Sequence, residues 1–195
     1  MIRVSDALAT EFVTVDAVLA TRGATRCVDA FALTWIKAEK QLRRLFCFLL
    51  FQSQHVSDAN RQQYEVVIVQ NRDLYFDSFV ACFNALSPKL LRDLVGSEYD
   101  QFVKNIHRMR DYRGKVIHGQ VSGQGITSRQ LQGDIALLRT WIEAVARVCQ
   151  RELGYDGLGR NTYRKAKSIT PSVVATYPFS TPAENWLRHH ARRRD

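Results

Sequence analysis

Apolar residues recur along this chain at steps of three and four almost throughout, the spacing that gathers them on one face of an α-helix. The first such stretch, about residues 6–19, predicts an amphipathic helix that stops near Gly23. A longer segment, about residues 28–54, carries Trp35, Ala38, Leu42, Leu45 and Leu49 on one face, and its second half is apolar nearly all round. A helix of that kind needs cover on several sides. The expectation is a core on one side, with the run 46–51 a candidate surface for a second subunit on another.

Further signals punctuate the pattern. Ser57-Asp58 predicts the cap of a helix bearing Tyr64, Val67, Ile68, Tyr75, Phe79, Cys82 and Leu86, with a break at Asn71-Arg72-Asp73. Ser87-Pro88 reads as an N-cap followed by proline at the first helical position, opening a short helix that ends at Gly96. Ser97 then caps a helix carrying Tyr99, Phe102, Ile106 and Met109 and ending at Gly119, and a polar loop over 120–125 follows. Thr127 and Gln130 form a capping-box pattern, flanked by Ile126 and Leu131 at staple positions. The helix they open buries Leu131, Ile135, Leu138, Ile142, Val145 and Cys149 and ends at Gly154. Residues 66–69 and 172–176 are the only strand-like patches, and both are weak. The predicted class is all-α: a bundle of about five to six helices over 1–154, then a basic C-terminal extension, 155–195. Thr181-Pro182-Ala183-Glu184 opens a short helix near 182–193 of that extension.

Composition agrees with one globular unit. The chain has 195 residues, 46% of them hydrophobic, and only four prolines interrupt it. Its net charge of +9 favours an anionic partner. From Arg160 onward eight cations face two carboxylates, so six of the nine excess charges sit in the last 36 residues. No apolar run follows Met1–Asp6, so no signal peptide is expected, and no run approaches the ~20 residues of a membrane helix. Cys27, Cys47, Cys82 and Cys149 show no CxxC spacing and lie in apolar stretches, which predicts buried reduced thiols and a cytoplasmic protein. No ligand set for zinc and no phosphate-cradling glycine loop is present, so neither a metal nor a cofactor is expected.

The segment from Arg108 to Gly119 carries the candidate chemistry. On a helical wheel Tyr99, Phe102, Ile106, Met109, Val116 and Ile117 share one apolar face, and Arg113 falls near its middle. A guanidinium at an inward position is costly unless paired or hydrated. One reading is structural. Lys115, His118 and Gly119 suit a helix C-terminus, and Arg113 can pair with a carboxylate such as Glu39 or Asp77.

The other reading comes from resemblance. Arg113-Gly114-Lys115-Val116-Ile117-His118-Gly119 resembles the signature of the HEPN superfamily: arginine, four to six residues, then histidine, commonly followed by glycine. The resemblance implies a helical bundle, dimerisation and, in many members, metal-independent ribonuclease activity in toxin–antitoxin, defence or RNA-processing systems. It implies His118 as the proton-transfer group and Arg113 as the phosphate-binding cation, with RNA cleaved by its own 2′-hydroxyl. Arg110 and Lys115 are candidate RNA contacts, and an antitoxin or regulatory partner is a further expectation. Two positions depart from the pattern. Gly114 replaces the polar residue many members carry after the arginine, and Gln120 stands where one toxin branch carries tyrosine. The alternatives are a non-catalytic module that binds RNA or nucleotides, and a helical dimerisation or adaptor domain. Residues five apart on a helix point ~140° away from each other, so Arg113 and His118 of one chain converge poorly unless the helix is distorted near Gly114, and a two-fold dimer that brings two copies of the motif together eases this.

Overall fold

The computed structural model describes residues 4–52, 56, 59, 61–70, 75–117 and 125–159. Helices account for nearly all of this: α1 (Val4–Ala20), α2 (Arg26–Gln52), α3 (Arg61–Gln70), α4 (Phe76–Leu86), the short α5 (Leu91–Val95), α6 (Tyr99–Ile117) and α7 (Ser128–Leu153). Among the described residues there is no strand, and the weak strand-like patch at 66–69 lies inside α3. The protein is therefore an all-α bundle, with six helices of ten residues or more among the described residues.

The apolar stripe of α2 decides the architecture. α2 packs against α1, α4, α6 and α7, while α7 closes the bundle against α1, α5 and α6. Phe46, Cys47, Phe48, Leu49, Leu50 and Phe51 are all buried within the single chain. This corrects the expectation that the run offers a surface to a second subunit. Its all-round apolarity is answered by intrachain packing, each large side chain contributing about 1.5–3 kcal/mol by leaving water. An aromatic column links the layers: Phe31 to Tyr112 (5.6 Å between centroids), Trp35 to Phe76 (6.0 Å), and Phe76 to Trp141 (5.9 Å).

Local signals held where a side chain could act alone. Thr127 caps α7, its hydroxyl accepting from the Gln130 N–H at 3.1 Å, and Gly154 ends the helix in the left-handed conformation with φ 75°. They failed around Ser87-Pro88 and Ser97. Ser87 is the C-cap that follows α4, in extended conformation, and α5 begins only at Leu91. Its first N–H is taken by Asn84 Oδ1 at 2.7 Å, a cap borrowed from the preceding helix. Ser97 lies within a 3-10 turn, Gly96–Glu98, which itself opens at Val95 without a side-chain cap and runs straight into α6. The predicted cap at Ser57-Asp58, the break at 71–73, the end of α6 at Gly119 and the extension from Arg160 lie outside the described residues.

After α7 the chain folds back on α2. Gln41 donates to the carbonyls of Ile142 (2.9 Å) and Asp156 (3.1 Å), and Arg44 to that of Leu158 (2.6 Å). Gly157 makes this approach feasible: with φ 75°, a Cβ there would sit 2.8 Å from both Gln41 Cγ and Leu45 Cγ. All four cysteines are free and buried, and burial pushes the Cys82 thiol up to about 12, with Cys47 adding to the effect. Among the described residues no helix is long and apolar enough to cross a membrane.

Candidate functional site

The inward face of α6 is wider than the wheel suggests. Phe102, Ile106, Met109 and Tyr112 are buried. α6 therefore meets α7 along one edge and α2 and α4 along the other, and each edge carries charge.

On the α7 side the carboxylate is enclosed, while its arginine partner reaches solvent. Asp134 is 3% exposed. It accepts from the Tyr112 hydroxyl and from both Nη atoms of Arg108, the Nη1–Oδ2 distance being 3.5 Å. Burial raises the Tyr112 phenol well above its ordinary value, and the hydrogen bond to Asp134 raises it further, so the group stays a donor. The bond to Asp134 likewise raises Arg108. The sequence did hold a signal for this triad. Asp134 stands three residues after Leu131 and four before Leu138, a carboxylate on the helix face that otherwise fills the core.

On the other side the charge is open. Trp35 and Glu39 from α2, Tyr75, Phe76 and Asp77 at the start of α4, and Arg110 and Arg113 from α6 line a cleft with an enclosed space of about 60 Å³. Arg113 Nη2 donates to Glu39 Oε2 at 3.2 Å, and its guanidinium carbon lies 5.6 Å from the centroid of the Trp35 ring. Glu39 is one of the two carboxylates expected as a partner for an inward arginine. The pair is single rather than bidentate, and the Arg113 side chain is still 27% exposed. Arg113 Nε and Trp35 Nε1 are buried with no hydrogen-bond partner. Each donor left in that state costs about 1–3 kcal/mol. Arg110 pairs with Asp77, whose other oxygen lies 3.3 Å from His107 Nε2. Tyr75, at the rim, is 55% exposed.

The structure thus brings Arg110 and Arg113 into one cleft. Lys115 is exposed on α6 but does not line the cleft. Two residues past Arg113 is a turn of ~200°, which carries it to the far side of the helix. His118 follows directly on Ile117, the last residue of α6, and lies outside the described residues. Gly114 is helical, with nothing within 4 Å of a Cβ added there, so a larger residue would fit and packing does not require glycine. Sequence reasoning missed Trp35 and Tyr75 as site residues because both read as members of apolar stripes. Among the described residues, no group of three or more His, Cys, Asp or Glu side chains is placed to hold a metal ion. No family model, curated protein or solved structure matches the chain.

Proposed function

We propose that the chain is a metal-independent endoribonuclease of HEPN type, with Arg113 and His118 as its catalytic residues. The observation that supports this most is the state of Arg113. It sits at the mouth of a cleft, inside the Arg-x4-His motif, held from one side by Glu39 and Trp35 and with donors to spare. A permanently charged planar fork, fixed in direction and reachable from solvent, suits the charge that builds on a phosphorane.

The 2′-hydroxyl of the ribose attacks the adjacent phosphate. His118 moves the proton, and the products are a 2′,3′-cyclic phosphate and a 5′-hydroxyl end. Arg110 and Lys115 contact the RNA backbone, as does the basic extension from Arg160. Two copies of the chain assemble the site, which resolves the divergence of positions five apart on one helix. Toxin or defence biology in the cytoplasm, under the control of an antitoxin or regulatory partner, fits such an activity.

A second reading rests on the ion pairs. Arg113–Glu39 and Arg110–Asp77 are both ion pairs within the chain, as in a helical interaction or RNA-binding module without catalysis. Incubation with single-stranded RNA in EDTA separates these readings. The proposal predicts cyclic-phosphate ends, no cleavage of DNA, and loss of cleavage in Arg113→Ala and His118→Ala proteins of unchanged helicity. Salt-sensitive binding without any cleavage selects the module, and absence of both binding and cleavage selects a protein-interaction role.

A further inference from the structure

We infer that the cleft beside Arg113 is a guanine-binding pocket, so that the proposed ribonuclease selects RNA next to an unstacked guanine. The inference rests on the reading of the chain as an RNA-acting protein and adds to it the base that is read.

Charge narrows the choice of occupant. Glu39 and Asp77 balance Arg110 and Arg113 within the cleft lining, so a phosphate held by the solvent-facing side of Arg113 leaves the interior of the cleft to an uncharged group. A neutral ligand is the better fit. The unpartnered donors, Trp35 Nε1 and Arg113 Nε, call for an acceptor, while Glu39 uses a single contact to Arg113 and keeps lone pairs for a donor. The required edge therefore has an acceptor beside N–H groups. Guanine presents O6 next to N1–H and the N2 amino group, two adjacent donors for one carboxylate. Adenine and cytosine turn a ring-nitrogen acceptor toward a carboxylate beside their single amino group, and uracil sets one N–H between two carbonyls. Tyr75, mostly exposed at the rim, supplies an aromatic face for an unstacked base. The enclosed space of the cleft, about 60 Å³, admits the edge of one base and leaves the rest of the ring outside, beside Tyr75. Trp141 also has an unpaired indole nitrogen, but it is enclosed by the rings of Phe76, Tyr99 and Phe102.

The indole N–H signals of the full-length protein report on this directly. Of the three tryptophans, the Trp35 signal is assigned by Trp35→Phe or, if that protein misfolds, by elimination with Trp141→Phe and Trp186→Phe. Titration with guanosine monophosphate should move the Trp35 signal, with adenosine, cytidine and uridine monophosphates at least roughly tenfold weaker. Glu39→Gln should remove that preference, and Tyr75→Ala should weaken binding roughly tenfold. A Trp35 signal that stays still with guanosine monophosphate through tens of millimolar overturns the inference. So does an equal response to inorganic phosphate, or to all four nucleotides. A protein that cleaves RNA without this response keeps the functional reading and loses the pocket. One that binds guanosine monophosphate selectively but leaves RNA intact does the reverse.

Discussion

On the edge of α6 that meets α7, Asp134 takes three donors and is closed from water; on the edge that meets α2 and α4, Arg113 and Trp35 keep N–H groups that nothing accepts. The helix, the residue types and the neighbouring core are the same, yet the outcomes are opposite. A buried charge with every partner present fixes how two helices sit. A partly buried charge with unpaired donors gives up stability and keeps the capacity to bind. What separates the structural arginine, Arg108, from the functional candidate, Arg113, is the partner and not exposure: the Arg108 side chain is the more exposed, 44% against 27%, but both its Nη atoms meet a buried carboxylate, whereas Arg113 makes one contact and keeps a buried N–H unpaired.

The comparison is most exposed to substitutions on the closed edge. Asp134→Ala leaves the buried Tyr112 hydroxyl without its acceptor and the solvent-reaching Arg108 without its partner, and should destabilise the fold by about 2–4 kcal/mol in urea denaturation. A loss under about 1 kcal/mol would mean that the triad does not organise the α6–α7 contact. Tyr112→Phe is a smaller cut, about 1–3 kcal/mol at neutral pH.

The same variant carries a pH signature. A phenol held above its ordinary 10.0 in the folded protein binds more protons when folded than when unfolded above pH 10. Its stabilising effect is complete below pH 10 and is lost as pH rises further, at up to about 1.4 kcal/mol per pH unit. Tyr155, also raised by burial, adds a similar term. Melting temperatures across pH 9–11 should therefore fall more steeply in the wild type than in Tyr112→Phe; equal slopes would remove Tyr112 from the account.

Smallest in stability, and most telling, is the open edge. Arg113→Ala breaks one partly exposed pair and should cost no more than about 1 kcal/mol. A loss of several kcal/mol would place Arg113 with Arg108 as a structural arginine.

Much of this was legible in sequence, and what was not has physical causes. The all-α class, the Thr127 cap and the Gly154 stop follow from periodicity and from side chains that act within their own turn. The Ser87-Pro88 signal misled because Asn84, from the previous helix, took over the capping, a tertiary substitution that no local rule contains. The apolar run at 46–51 was recognised as wholly buried, but its cover was assigned to a partner because periodicity cannot say which chain supplies a neighbour. Arg113 was found because it broke the pattern of α6, and Glu39 because an inward cation needs a carboxylate. Trp35 and Tyr75 obeyed their patterns, so nothing marked them before α2 and α4 were placed side by side.

The most direct test of the central claim, that the open edge of α6 exists for chemistry on RNA, is the single-turnover rate of single-stranded RNA cleavage in EDTA by wild-type and Arg113→Ala proteins of matched helicity. Loss of one preorganised cation predicts a fall of about 10²–10³-fold with stability nearly unchanged. Equal rates in the two proteins, or no cleavage by the wild type, would contradict it.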